Sequence, residues 1–390
     1  MKKLLLILLC LPMIGFGQTN GSCNYPTTTS TTSITTCDTS YTWPLNGQTY
    51  TSSGVYTYAN SSISPTLTGN YNTSGNAYDV AVSGNYAYVA DYGNGLDIID
   101  ISTPSSPILI GNYNTSGSAY GVTVSGNYAY VAVYGNGLDI IDISNPSSPT
   151  LTGNYNTSGY AAGVAVSGDY AYVADGSHGL DIIDISTPSS PTLEATYNTS
   201  GNALDVTVSG NYAYVADYSD GLDIIDISTP SSPILTGTYN TSGNARRVFV
   251  SGNYAYVADN TDGLQIIDIS TPSSPALAGT YNTSGNARGV SVSGNYAYIA
   301  DGSSGLQIID ILNPSSPTLE ATYNTSGNAL DVTVSGNYAY VADAGSGLQI
   351  IDISLGAGCS LDSLILTINP NPTSTSTHTA CSSYLWNGTT

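Results

Sequence analysis

Apolar residues along this chain alternate with polar ones in short runs of period two, and no stretch shows the 3.6-residue spacing of an amphipathic helix. The runs come in fours. Asp79–Val82 alternates β-branched and small residues, Tyr86–Ala90 and Leu96–Ile101 follow, and Ile108–Tyr113 completes the set. Such segments read as β-strands, here labelled A to D. Ser83-Gly84-Asn85 between A and B, and Tyr92-Gly93-Asn94-Gly95 between B and C, are hairpin signals. Pro104 and Pro107 exclude helix between C and D and favour a bend. Strand C carries Ile98, Ile99 and Ile101, which puts apolar groups on both faces, as expected for a sheet held between two others.

The set then repeats. SGNYAYVAD at Ser83–Asp91 returns with few changes at Ser125, Ser167, Ser209, Ser251, Ser293 and Ser335, each 42 residues after the last. Four antiparallel strands in a repeat of roughly 40–45 residues predict a β-propeller. The first in-phase segment, Ser64–Asn72, is a lone strand D, and the last, Val332–Ser354, is A, B and C without D. Seven complete blades therefore require the N-terminal strand to finish the last one, closing the ring and removing its edges. The fold class expected is all-β: a seven-bladed propeller of four-stranded antiparallel blades, inserted in a small β module.

That module is read from the flanks. Residues 34–60 and 355–370 join into one continuous β pattern once the propeller at 61–354 is excised. Residues 371–378 form a linker, and residues 379–390 begin a second copy, in which CSSYLWNGTT at Cys381–Thr390 repeats the pattern of Cys37–Gln48. The protein is expected to continue beyond it. At the other end, residues 1–17 pair two lysines with an apolar stretch too short to span a bilayer. They read as a secretory signal peptide, followed by a Ser/Thr-rich linker at 18–33. No other segment is apolar enough for a membrane span, and the expected location is extracellular or at the cell surface. In that oxidising setting Cys37 and Cys359, from the two halves of the interrupted module, are the expected disulfide, while Cys23 and Cys381 have no assigned partner.

The repeats resemble the LVIVD-repeat family of secreted β-propeller proteins. The residues that carry this are Val89-Ala90-Asp91, Gly95-Leu96, Ile98–Ser102 and Pro104–Pro107, with the SGNYAY that precedes them. One copy departs, with Val133 in place of the strand-end aspartate. The flanks are similar to Cys/Trp/Asn-Gly modules of large bacterial surface proteins. The resemblance implies a propeller outside the cell and supplies no enzymatic activity.

Charge narrows the function classes. Removal of Lys2 and Lys3 leaves three basic residues against 27 acidic, a formal charge near −24. Bulk attraction to nucleic acid or anionic lipid is excluded. The seven aspartates of the IIDIS strings (Asp100 and its counterparts) occur in every blade, so they mark a turn and not a unique site; they are expected to accept hydrogen bonds from the residues that follow. The B–C loop carboxylates, such as Asp217 with Asp220 and Asp259 with Asp262, read as turn caps. Calcium is the alternative, but each loop supplies only two carboxylates. No nucleophile motif, phosphate loop or Cys/His metal spacing is present, and no cofactor is expected.

The copies differ mainly in the B–C loop and in the two residues that enter strand A. In a propeller both lie around one mouth of the central channel. Arg246, Arg247 and Arg288, all the arginines of the chain, fall there, together with Tyr78 and Tyr120, and His178 lies in a B–C loop. These six are the candidate ligand-binding residues, suited to an acidic glycan or a peptide carboxylate. The competing reading is that the arginines neutralise Asp205, Asp331 or loop carboxylates such as Asp259 and Asp301. The sequence supports a non-enzymatic binding or adhesion scaffold for an extracellular glycan or protein, with a polysaccharide-acting enzyme or a structural spacer as alternatives.

Overall fold

The computed structural model describes residues 28–36, 41–42, 49–50 and 54–368, with side chains from 63 to 354. Seven four-stranded antiparallel sheets surround a central axis, each in the order A-B-C-D from the axis outward. In blade one the strands are Asp79–Ser83, Tyr86–Ala90, Leu96–Asp100 and Ile108–Tyr113. Blade seven takes A, B and C from Asp331–Ser335, Tyr338–Ala342 and Leu348–Asp352, and its fourth strand from Thr66–Tyr71. Leu348 pairs with Tyr71 and Asp352 with Thr66, so the ring closes as the segment count requires. Among the described residues no helix is long and apolar enough to cross a membrane.

Packing explains the double-faced strand C. Ile98 and Ile99 are both fully buried, but in different cores. Ile98 packs against Val131 and Ile141 of blade two, and Ile99 against Ile350 and Leu348 of blade seven. Full burial of an isoleucine is worth about 1.5–3 kcal/mol, and no blade can realise that for both residues without a neighbour on each side.

Polar latches fix neighbouring loops to one another. The strand-end aspartate of blade one, Asp91, is wholly buried and accepts hydrogen bonds from Thr73 Oγ1 (2.7 Å) and the Gly75 N–H (2.7 Å). Asp175, Asp217, Asp259, Asp301 and Asp343 repeat this with their own Thr and Gly. Where Val133 replaces aspartate the latch is gone, and Thr115 Oγ1 turns to the Gly117 carbonyl instead (2.7 Å). The IIDIS aspartates behave as expected. Asp100 Oδ1 accepts the Ser102 N–H at 2.8 Å, and the six counterparts do the same.

The strands flanking the ring in sequence meet in one sheet. Leu355–Ile368 lies between Thr28–Thr36, to which it runs parallel, and Gly54–Ile63, to which it runs antiparallel. Its register sets Thr36 beside Ile368, at the far end of the strand from Cys359. Cys37 lies outside the described residues, as do Cys23, Cys381 and residues 1–17, expected as a signal peptide.

The second residue of strand C is aspartate in blades one to four and glutamine in blades five to seven. Burial pushes Asp97 and Asp139 up to about 6, and burial with the nearby Asp217 and Asp220 carboxylates pushes Asp223 up to about 7. Gln307 shows what a neutral group does there: its Nε2 donates to the strand-end Asp301 at 2.6 Å.

Two outcomes follow. Deletion of residues 61–72 leaves strand C of blade seven without its partner, and should lower stability by several kcal/mol in denaturant titration; an unchanged midpoint contradicts closure by this strand. For Asp223 the folded-state value lies above the unfolded one, so its contribution is full below about pH 4 and is lost as pH rises through about 7. The Tm of Asp223→Gln minus that of wild type should therefore grow from about pH 4 to about pH 8; a constant difference contradicts the raised carboxyl.

Candidate ligand site at the channel mouth

The first position of strand A faces the axis, and around the ring it reads Asp79, Gly121, Gly163, Asp205, Arg247, Gly289, Asp331. Arg247 reaches three other blades from there. Its Nη1 lies 3.3 Å from Asp79 Oδ2 and 3.2 Å from Asp205 Oδ1, and its Nε lies 3.8 Å from Asp331 Oδ1. The second oxygens of Asp79 and Asp205 are also used: Asp79 accepts the Val80 and Val122 N–H groups, and Asp205 Oδ2 accepts the Val248 N–H. Glycines make room between the charges, since a Cβ on Gly289 would sit 2.6 Å from Asp331 Oδ1.

Ionisation in this cluster is uneven. Burial, with the Asp79 carboxylate beside it, pushes Asp331 well above the ordinary range, and burial also raises Asp205. Burial opposes charge on Asp79 too, but the Arg247 guanidinium, the hydrogen bond from Asp331 and two backbone N–H groups outweigh it and hold Asp79 low. Between these two carboxyls the proton is therefore favoured on Asp331, and the negative charge on Asp79, which faces Arg247.

Arg247 separates two spaces. On the side of the A–B turns lies an axial cavity of about 390 Å³ walled by strand A, including Val122, Val206 and Phe249. On the side of the D–A and B–C loops lies a mouth cavity, also about 390 Å³, with Arg247 in its floor. Arg246 and Arg288, on neighbouring blades, enter the mouth cavity with Leu204, Leu330 and Ala162. Neither makes an ion pair with a described carboxylate, and both Nε atoms are buried without a hydrogen-bond partner. The Arg246 guanidinium lies 5.7 Å from the centre of the Tyr218 ring. Burial, and then the Arg288 charge, lower its pKa.

Tyrosines form the opposite side. Tyr92 and Tyr120 both lie against Tyr78 (5.3 and 4.6 Å between ring centres). Tyr134 stacks on Tyr120 at 4.9 Å, and Tyr160 on Tyr134 at 4.5 Å. The Tyr134–Tyr160 contact joins blades two and three, where the Asp175 latch to Thr157 and Gly159 is intact. Burial, and then the Tyr78 ring and hydroxyl, raise the Tyr120 hydroxyl.

The six candidates therefore divide. Arg246, Arg288, Tyr78 and Tyr120 line one cavity. Arg247 touches it but is held by Asp79, Asp205 and Asp331, so charge neutralisation describes Arg247 and not its two companions. Asp259 and Asp301 are occupied by their own Thr and Gly donors and do not reach the arginines. His178 is exposed in its loop and does not line the cavity. Among the described residues no cluster of three His, Cys, Asp or Glu side chains is arranged to hold a metal ion. Sequence reasoning missed Tyr134, Tyr160 and Tyr218. The signal for Tyr160 was present, because its position holds Asn76, Asn202, Asn244, Asn286 and Asn328 in other copies.

The LVIVD-repeat model matches seven consecutive units, residues 74–115, 116–157, 158–199, 200–241, 242–283, 284–325 and 326–357. No curated protein sequence matches the chain. Among solved structures, the chain is similar to the β-propeller domain of Cps50 (Swd1) from Myceliophteria thermophila, with 13% identity, TM-score 0.62, and coverage of 75% of this chain and 100% of that one. The WD40 β-propeller domain of Doa1 gives 12% identity, TM-score 0.61 and coverage of 77% and 99%. BamB from Moraxella catarrhalis gives 17%, 0.51, and coverage of 72% and 84%. At these identities the likeness concerns the fold alone.

The two kinds of arginine should respond differently to removal. Arg247→Met leaves buried carboxylates without their cation and should cost about 3–5 kcal/mol in denaturant titration. Arg246→Met and Arg288→Met remove charges that have no internal partner and should each stay within about 1 kcal/mol of wild type. Equal losses at all three would give every arginine a structural role.

Proposed function

The chain belongs to the LVIVD-repeat family, and from that premise we propose that it is an exported, non-enzymatic propeller that binds an acidic extracellular ligand at its channel mouth. The observation that carries this reading is the pair Arg246 and Arg288: two guanidiniums of a strongly acidic chain, side by side in a cavity, with no described carboxylate to meet them. A half-buried cation with no carboxylate beside it is incompletely solvated in the free protein, and a ligand carboxylate or sulfate meets it through charge-assisted, bidentate hydrogen bonds. The lining supports a binding role, since the two guanidiniums stand among Tyr78, Tyr120, Tyr134, Tyr160 and Tyr218, aromatic faces suited to a sugar. Export is supported by the leader pattern of residues 1–17.

Calorimetric titration of the exported chain with uronate-bearing and sulfated oligosaccharides, at low and moderate salt, tests the proposal. Wild type should bind at least one acidic class, and Arg246→Ala/Arg288→Ala should lose at least about thirtyfold in affinity at an unchanged Tm. Binding that is absent, or equal in both proteins, would overturn it.

A further inference from the structure

Resting on that reading, the geometry points to a narrower ligand: we infer that the mouth receives the end of a neutral oligosaccharide capped by one uronate, the carboxylate between Arg246 and Arg288 and the sugar chain leaving across Tyr160.

Three observations select an end over a continuous polymer. The floor is closed, because Arg247 lies across the axis on Asp79, Asp205 and Asp331, and it lines both the mouth cavity and the axial cavity beneath. A chain that enters the mouth cannot thread the ring. The space itself, about 390 Å³, is at the small end of the range for ligand cavities. Finally, the positive spot is local. Beyond Arg246 and Arg288 the protein is strongly acidic, so a polyuronate would lay its remaining charges against a like-charged surface. One terminal acid avoids that repulsion.

The exit is marked by Tyr160, the most exposed of the described tyrosines that line the cavity. Tyr78, Tyr120 and Tyr134 each have other tyrosines against them, and Tyr218 has Arg246 over its face. Tyr160 ends the row: it is 53% exposed, lines the cavity, and has Tyr134 against one face and no described ring against the other. A flat aromatic face at the rim of an acid-binding pocket suits the apolar face of a neutral sugar following the uronate. A peptide ending in a carboxylate could use the arginines but gives no comparable reason for an open ring face.

The test uses the exported chain and five ligands: free glucuronate, a neutral trisaccharide capped by one terminal glucuronate, the same sugars with the glucuronate internal, trigalacturonate, and a short neutral peptide with a free C-terminal carboxylate. The capped trisaccharide should bind best, about fivefold tighter than free glucuronate, and Tyr160→Ala should remove that gain while leaving glucuronate itself unaffected. The internal-acid isomer and trigalacturonate should bind at least about tenfold more weakly, and trigalacturonate should improve as added salt screens the surface. If either binds as tightly as the capped sugar, with the same dependence on Arg246 and Arg288, the acidic site stands and end recognition falls. If the peptide binds as tightly, the glycan assignment falls. If none of the acidic ligands binds, both readings fall together.

Discussion

Every blade of this protein has two apolar faces, and neither can be left in water. Ile98 looks toward blade two and Ile99 toward blade seven, and the same division recurs in each of the seven cores between blades. An array of such sheets has no satisfactory end, so it must curve until the first meets the last. Thr66–Tyr71 performs the closure by entering the last blade from the other end of the chain. Closure in turn fixes the separation of strands around the axis, and so what can stand at the first position of strand A. With three glycines, three aspartates and one arginine there, a narrow channel is filled by charge instead of by methyl groups.

The acidic composition makes that filling consequential. Carboxylates are used throughout as hydrogen-bond acceptors for loops, and about half of them are consumed by that work. Asp91 and its counterparts hold Thr and Gly, and Asp100 and its counterparts hold the turn that follows. Arg247 belongs to the same economy, since it satisfies carboxylates that closure has buried. Arg246 and Arg288 do not belong to it. They stand one step outside the axis, on the face where loops vary, and no described acid balances them. Separation of structural from available charge within a run of two arginines is what turns a ring of near-identical repeats into a molecule with one distinctive face.

Much of the fold was legible in the sequence because repetition supplies its own alignment. Strand B of blade one runs over Tyr86–Ala90 and strand D over Ile108–Tyr113, as the apolar pattern indicates, and the orphan strand at the start of the array foretold closure. Strand C stops one residue early, because the Ile101 N–H turns to the Asn85 carbonyl (2.8 Å) at the corner. The candidate site was legible only to its neighbourhood. Positions that vary among the copies marked the mouth, but period and spacing could not say which of two consecutive arginines faces the axis. That depends on Asp79, Asp205 and Asp331 converging from three blades, a long-range fact. Tyr78 and Tyr120 were rightly placed at the mouth, whereas their packing into a row with Tyr92, Tyr134 and Tyr160 depends on contacts between blades. His178 was singled out for its rarity alone, and rarity carries no geometry.

The account stands on the claim that Arg246 and Arg288 await an acid from outside the chain. A crystal structure of the protein grown with a uronate-capped oligosaccharide tests it most directly. The account predicts the sugar carboxylate within hydrogen-bonding distance of both guanidiniums, above an Arg247 still bound to Asp79, Asp205 and Asp331. A structure in which Arg246 and Arg288 are paired with the protein's own carboxylates, and the mouth holds no sugar, would contradict it.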